Sequence, residues 1–184
     1  MKSEYIGLDQ SLSQTGVAVW RDGTIVVTEI KTDAQQPHGQ RLLHLESSLR
    51  LLLERSADLF WEYVFAAGHV PYESMRVLGL VEKLAAEYGM EGYCFRSGGK
   101  EGKRSSGHKS WRFRVGVSSD KKDLQAKLGL AGKANHNISD AIGILGAGLL
   151  HRDVLADPEQ LFDAPIIIPN GRNTQALLHC LDNL

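Results

Sequence analysis

Alternating apolar and polar positions predict three consecutive strands at the start of the chain, over residues 4–9, 15–21 and 24–31. A corner rich in Ser, Gln and Thr separates the first strand from the second. The second and third strands are joined at Asp22 and Gly23, and Asp-Gly between apolar runs is a strong hairpin signal. The chain is therefore expected to open with two hairpins in succession.

The pattern then becomes helical. Leucines recur on one face between residues 39 and 55, which predicts an amphipathic helix. Residues 59–65, LFWEYVF, follow as a nearly continuous apolar run of strand length that is interrupted by Glu62. A strand that follows a helix and is buried on both faces is typical of a parallel or mixed sheet. The sequence therefore predicts an α/β protein.

Similar patterns continue toward the C-terminus. We predict a helix over residues 71–89, a strand over 91–96, and helices over 119–128 and 137–150. A short Ile run between Pro165 and Pro169 follows, and Asn173 with Thr174 could open a last helix.

Length and composition indicate one ordinary globular domain. The chain has 184 residues, of which 42% are hydrophobic and 23% charged. Its longest apolar stretch, residues 142–150, is too short to cross a bilayer, and no secretory signal is visible, so a soluble cytoplasmic protein is expected. The two cysteines, Cys94 and Cys180, have no metal-binding spacing and are expected to be reduced and structural.

The small net charge of -1 hides an uneven distribution. Residues 96–122 contain nine basic and two acidic residues, so this segment is +7 and the rest of the chain is -8. Within it, residues 97–110 are rich in Gly and Ser, which predicts a loop suited to phosphate contacts. A basic run is often only a solvated face, but one concentrated segment on an acidic body favours contact with a nucleic acid.

Three carboxylates occupy positions that structural needs alone explain poorly. Asp9 ends the first predicted strand, where it could cap a turn or hold a cation. Glu62 interrupts a strand that should be buried, where an unpaired carboxylate would be costly. Asp140 lies near the start of a predicted helix, where an anion also stabilises the helix dipole. Because an α/β fold can bring such places together, the three acids together favour a divalent metal site.

The runs around these acids carry a family resemblance. IGLDQSLSQTG, WEYVF at residues 61–65 and NISDA at residues 137–141 resemble the three acidic motifs of RuvC-like Holliday-junction resolvases, within the ribonuclease H-like superfamily. The resemblance covers residues 4–150 and implies a mixed five-stranded sheet flanked by helices. It divides the chain into a nuclease domain over residues 1–150 and an extension over 151–184 of unknown role. Phage resolvases similar to this chain vary most at that end.

The resemblance also implies an activity and its metal. The chain would be a metal-dependent endonuclease that resolves four-way or other branched DNA junctions in recombination and repair, in a bacterial or phage-infected cell. Asp9 would bridge two Mg²⁺ ions, for which Mn²⁺ would substitute, with Glu62 and Asp140 beside them. Where the family has one more acid, this chain has Asn137, so Asn137 or His136 would complete the site. Asn137 could equally be a helix N-cap.

Further residues are assigned to DNA by the same resemblance. Lys121 matches a family lysine near the scissile phosphate, with Lys122 as its neighbour. Phe65 resembles an aromatic residue that inserts at the junction centre, although a place in the core explains it as well. The loop adds the remaining candidates for phosphate contact, which are Lys100, Lys103, Arg104 and Lys109.

Twofold symmetry of a four-way junction implies a homodimer. In similar proteins the helix after the second carboxylate forms the interface, which here is the helix over residues 71–89, with apolar Met75, Val77, Leu78 and Leu80. A doubly packed helix of a monomer would look the same.

Three other functions compete with this one. A non-enzymatic junction-binding protein would keep the basic loop and lose metal affinity, and Asn137 favours it. Another ribonuclease H-like nuclease would share the carboxylates but cut hybrids or flaps. A phosphotransferase of the actin and sugar-kinase fold opens with a similar hairpin, but it needs two such domains, for which 184 residues leave no room.

Overall fold

The computed structural model describes residues 4–63, 72–96, 110–118, 121–131, 135–171 and 173–184. Its strands are β1 (Glu4–Asp9), β2 (Gln14–Arg21), β3 (Thr24–Lys31), β4 (Ser56–Tyr63), β5 (Tyr93–Arg96) and β6 (Ile166–Ile167). Its helices are α1 (His38–Leu53), α2 (Tyr72–Glu87), α3 (Trp111–Arg114), α4 (Lys121–Lys127), α5 (His136–His151), α6 (Glu159–Asp163) and α7 (Thr174–Asp182).

The strands form one mixed sheet in the order β5-β4-β1-β2-β3-β6. The two hairpins that join β1, β2 and β3 are antiparallel, whereas β4 lies parallel to β1 and β5 lies parallel to β4. The predicted mixed α/β sheet is therefore confirmed, with six strands among the described residues in place of the five predicted. The additional strand, β6, has two residues and pairs with Ile25 and Val26 of β3, a contact too short to leave a periodic pattern in the sequence.

Two hydrophobic clusters cover the two faces of the sheet. On one face, the leucines of α1 pack with α2, α7 and the strands. On the other face, α5 is the central helix, and α3, α4 and α6 surround it. Gly7 lets α5 lie close, because a Cβ there would be 2.5 Å from the Ala141 carbonyl oxygen. The sheet is thus a platform buried on both sides.

The described part of residues 151–184 packs on the rest of the protein. The Arg21 guanidinium donates a hydrogen bond of 2.6 Å to the Leu181 carbonyl, and Arg55 forms an ion pair of 2.7 Å with Asp182. Asn173 caps α7 as expected, since its side chain accepts a hydrogen bond from the Ala176 N–H. The extension therefore covers part of the sheet through α7 and lengthens the sheet through β6.

Both cysteines are free thiols, as predicted. Burial raises the pKa of Cys94 to about 12, so this thiol is neutral near pH 7 and is a poor metal ligand. Within the described ranges, no helix combines the length and the apolar character needed to cross a membrane.

Candidate active site

Asp9 and Glu62 lie on neighbouring strands at the same edge of the sheet. Asp9 is the last residue of β1, and Glu62 is the last but one of β4. The strands are parallel, and the residues directly before these two, Leu8 and Trp61, are opposite each other in the register. The backbone thus brings two of the three candidate carboxylates to adjoining positions.

Both carboxylates belong to the face of the sheet that α5 covers. Side chains alternate between faces along a strand, and the residue before each acid belongs to the core on the other face. Gly16, which is opposite Asp9 on β2, agrees with this assignment. A Cβ at Gly16 would lie 2.1 Å from the Asn137 carbonyl oxygen, so the start of α5 passes directly over this row of the sheet.

Asp140 reaches the same region from α5. The helix crosses the sheet with Asn137 above Gly16 and Ala141 above Gly7. Asp140 lies between these two contacts in the sequence and is 8% exposed. The space between the sheet edge and α5 is therefore shared by elements that carry all three candidate acids.

The start of α5 corrects the interpretation of Asn137 as a helix cap. The helix begins at His136, and Asn135 is the N-cap, with its side chain accepting the Ile138 N–H at 3.1 Å. Asn137 instead donates from Nδ2 to the Gln14 carbonyl at 3.1 Å. The N-cap interpretation of Asn137 is therefore wrong, and its amide ties α5 to the corner that follows Asp9.

A buried acid that the sequence analysis did not identify binds the N-cap residue of α5. The Glu29 side chain is fully buried on β3, accepts a hydrogen bond from the Asn135 amide, and lies 3.1 Å from Lys31 Nζ. Glu29 is opposite Gly16, in the same row as Asp9. Its sequence signal is the one that singled out Glu62, a carboxylate inside an apolar strand. Its contact fixes the end of α5 that carries the site.

Asp140 lies beyond the part of α5 where an acid stabilises the start of a helix. It is the fifth residue of α5, and the first turn holds no acidic residue, so stabilisation of the helix start does not explain it. Its Oδ1 lies 2.8 Å from Arg112 Nη2, in an ion pair whose side chains are only 13% and 11% exposed for Arg112 and Asp140. A cationic group thus already lies at this carboxylate.

The short helix α3 contacts two of the candidate acids with consecutive residues. Trp111 Nε1 donates to Glu62 Oε1 at 2.9 Å, and Arg112 binds Asp140. The Trp111 ring is fully buried against Gly143, where a Cβ would lie 2.2 Å from the ring. Sequence reasoning missed both residues as parts of the site, since α3 directly follows the segment 97–110 that was predicted as a loop. The available signal was Ser110, a good N-cap, before aromatic residues alternating with arginines.

Gln10 fixes the backbone of Glu62. Its side-chain amide donates to the Glu62 carbonyl and accepts the Glu62 N–H at 3.3 Å. The amide thereby continues the β1–β4 ladder one residue beyond Asp9. This contact holds the two strand ends, and so the two acids, in a fixed relation.

The donor chemistry of these residues fits a divalent cation. Carboxylate oxygens are the preferred ligands of Mg²⁺, and the Asp140 carboxylate already pairs with one positive group, the Arg112 guanidinium. In the parts of the chain that the structure describes, no three His, Cys, Asp or Glu side chains are gathered closely enough to hold an ion. Instead, the Glu62 and Asp140 carboxylates bind side chains of α3. The metal site at Asp9, Glu62, Asn137 and Asp140 stays a prediction.

The remaining predicted residues are, except for Lys122, partly or wholly outside the described residues. Lys121 begins α4, but its side chain lies outside the description, and Lys122 after it is exposed. Phe65 and the loop residues Lys100, Lys103, Arg104 and Lys109 also lie outside the described residues. Their assignments to DNA stay predictions.

The mixed sheet, with its two leading hairpins and a helix across Asp9, has the ribonuclease H-like fold. A solved structure of Thermus thermophilus RuvC in complex with a Holliday junction substrate matches it with a TM-score of 0.61 and 17% identity, over 83% of this chain and 96% of that one. Another T. thermophilus RuvC structure gives 0.59 and 18%, over 84% and 99%. No protein-family model and no curated protein sequence matches this chain. At this identity, the likeness establishes a RuvC-type fold.

Proposed function

We propose that this protein is a Mg²⁺-dependent endonuclease that cuts four-way or other branched DNA junctions. The observation that carries the proposal is the placement of Asp9, Glu62 and Asp140 around one face of a RuvC-type fold. The solved RuvC structure of this fold is a complex with a Holliday junction. The proposal is supported by this fold together with three acids on elements that meet at one edge of the sheet.

The residues of the chain would divide the work as follows. Asp9, Glu62 and Asp140 would hold the ions, and Asn137 could add its amide oxygen, because only its Nδ2 is used by Gln14. Bound Mg²⁺ supplies activation of water and stabilisation of the leaving oxygen in phosphodiester hydrolysis. Gln10 orients Glu62, and Glu29 with Asn135 sets the position of α5. Lys121 would approach the phosphate from the start of α4.

Dimer formation would use α2, although Met75 is the one exposed residue among those that the sequence suggested. Val77 and Leu78 are buried in the core of their own chain. The apolar residues that α2 leaves exposed are Tyr72, at 73%, and Met75, at 44%. We propose that these two contact the second copy in a symmetric dimer, which would place two active sites on a twofold-symmetric junction.

One alternative has a specific observation in its favour. A junction-binding protein without catalysis would need no free carboxylates, and here Glu62 and Asp140 are bound by Trp111 and Arg112. The test is a competition assay in which a labelled four-way junction is cut in the presence of excess linear duplex. Selective cutting into nicked duplexes supports the nuclease, whereas selective binding without cutting supports the alternative. Equal cutting of linear duplex would indicate a nuclease of another specificity.

The Arg112–Asp140 ion pair gives a prediction about the metal. Arg112→Gln removes the guanidinium that pairs with the nearly buried Asp140 carboxylate. The metal-free protein should therefore lose about 3 kcal/mol of stability. Mg²⁺ should restore more of this stability than it adds to the wild type, because the ion no longer competes with a guanidinium. Thermal unfolding with and without Mg²⁺ measures both effects.

Arg152→Gln is the matched control for this experiment. Arg152 binds Asp58 at 2.6 Å, in an ion pair at the opposite end of α5. This variant should also lose stability, but Mg²⁺ should not restore it. An equal response of both variants to Mg²⁺ would contradict a metal site at Asp140.

The basic loop gives a second prediction. Replacing Lys100, Lys103 and Arg104 with Gln removes three positive charges from the segment with the highest basic density. If each contacts one phosphate, the slope of log affinity against log salt for junction binding should fall by about 2–3. Fluorescence anisotropy over a series of KCl concentrations measures the slope, and an unchanged slope would remove the loop from the DNA contact surface.

A further inference from the structure

Arg41 is a buried cation whose partners are all neutral. It lies in the first turn of α1 and is 5% exposed. Its Nε donates to Thr32 Oγ1 at 3.0 Å, and its Nη2 donates to Ser13 Oγ at 2.8 Å. No carboxylate in the described ranges lies within 4.0 Å of its guanidinium, whereas Arg55 has two such partners and Arg112 has one.

This arrangement is costly if nothing else binds there. A charge removed from water needs a counter-charge or a full set of hydrogen bonds. Two hydroxyl oxygens provide only part of that, and the third nitrogen, Nη1, has no hydrogen-bond partner among the described residues. The guanidinium can therefore accept an anion as a further partner, and Arg side chains are well suited to phosphate because their planar donors match its oxygens.

The position of Arg41 connects this candidate anion site to the active site. Thr32 and Ser13 join α1 to the corner that follows β1, since the Thr32 N–H donates to the Ser13 carbonyl at 3.2 Å. Ser13 is exposed and only four residues from Asp9, which is at most about 14 Å of chain. One strand of a duplex carries a phosphate about every 3.4 Å along its axis. A strand whose phosphate lies at Asp9 can thus present another phosphate at Ser13.

The hydroxyl groups complete a phosphate site. Ser13 Oγ accepts from Arg41, and no acceptor for its own hydrogen lies among the described residues. That hydrogen is available to a phosphate oxygen. The Thr32 hydroxyl instead donates to the Leu12 carbonyl at 2.5 Å, so Thr32 holds Arg41 in place. The start of α1 adds partial positive charge through the helix dipole, and Pro37 makes no side-chain cap hydrogen bond there.

We propose that Arg41 and Ser13 bind a backbone phosphate of the DNA strand that enters the active site, a few nucleotides from the phosphate at Asp9. The inference rests on the proposed function, because it needs DNA at the carboxylates. It adds a contact on the α1 side of the hairpin corner, opposite to α5. Arg41 would thereby set the path of the strand across the end of β1.

Junction binding at increasing KCl, measured by fluorescence anisotropy in EDTA, tests the site without cleavage. Arg41→Gln should weaken binding at low salt about ten-fold. It should also lower the slope of log affinity against log salt by about 0.9, since one phosphate contact is lost. Arg50→Gln is the matched control, because it removes the same charge from the far end of α1, where Arg50 binds Glu46. The control should leave the slope unchanged.

A second variant keeps the test decisive if Arg41→Gln fails to fold. Ser13 is exposed, so Ser13→Asp should be tolerated and should give Arg41 an internal counter-charge. Thermal stability should stay equal or rise while junction binding weakens about ten-fold. Gln40→Glu adds the same charge at an exposed neighbouring position of α1 and should have a much smaller effect on binding.

The outcomes separate this inference from the proposed function. A wild-type chain without affinity for junctions would overturn both. Normal junction binding by the wild type, with the same slope for Arg41→Gln and Arg50→Gln, would overturn the phosphate site alone. So would equal effects of Ser13→Asp and Gln40→Glu on binding, because Arg41 would then act only by joining α1 to the hairpin corner.

Discussion

Asp9→Asn should abolish junction cleavage and leave junction binding nearly intact. Asn has the same shape as Asp but lacks the charge that would bridge two metal ions. Metal ions contribute several kcal/mol to such reactions, and a loss of about 4 kcal/mol corresponds to a rate about a thousand-fold lower. Single-turnover cleavage of a labelled junction in Mg²⁺ measures the rate, and anisotropy in EDTA measures binding.

Asp33→Asn is the control for this substitution. Asp33 is an exposed acid just after β3, and it accepts a hydrogen bond from the Gln35 N–H at 2.9 Å. Removing its charge should leave the cleavage rate within a small factor of the wild type. If Asp9→Asn also kept that rate, Asp9 would not be a metal ligand, and the assignment of the whole site would be wrong.

Gly7→Ala should have the largest effect on stability. The added Cβ would lie 2.5 Å from the Ala141 carbonyl oxygen and 2.6 Å from the Leu145 backbone nitrogen, and neither can move without moving α5. We expect a loss of about 3 kcal/mol, which lowers the melting temperature by about 6–12 °C. Cleavage should fall as well, because α5 carries Asp140.

The same substitution on α2 should act in the opposite direction. Gly79 is exposed in the middle of that helix, and no atom of the described residues lies within 4 Å of the position of its added Cβ. Gly79→Ala should therefore stabilise the protein by about 0.5–1 kcal/mol through helix propensity. Equal melting temperatures for the two variants would contradict the packing of α5 on β1.

Local signals were strong enough to predict most of the fold. The turn at Asp22 and Gly23 has positive φ at both residues, 48° and 86°, as an Asp-Gly hairpin requires. Leu45, Leu49, Leu52 and Leu53 of α1 also occupy the core as their spacing indicated, as does the apolar run Leu59 to Trp61 of β4. These elements are set by patterns within a few residues, so the sequence alone contains what is needed.

Elements that depend on distant contacts were not predictable. β6 exists because the edge of β3 offers hydrogen bonds to two residues, including one from Ile25 to the Pro165 carbonyl. The cap of α5 is Asn135 because Glu29, 106 residues away in sequence, binds its amide. Two asparagines two residues apart are equivalent candidates until that contact is known.

The candidate site also contains residues that local patterns indicate and residues that only distant contacts reveal. Asp9, Glu62 and Asp140 could be predicted from the sequence because each lies in a run that resembles an acidic motif of the family, and Glu62 also interrupts an apolar strand. Trp111 and Arg112 could not, because their role lies in contacts with two of those acids across the fold. Arg41 has an ordinary sequence position, and only its burial beside neutral hydroxyls marks it.

The most direct measurement of the central claim is a Mg²⁺ titration of cleavage on a synthetic immobile four-way junction, with the product ends determined. We expect no cleavage in EDTA, cleavage that rises with Mg²⁺, and paired cuts that leave 5′-phosphate and 3′-hydroxyl ends. Cleavage that persists in EDTA, or a junction that is bound but uncut at every Mg²⁺ and Mn²⁺ concentration, would contradict a metal nuclease built on Asp9, Glu62 and Asp140.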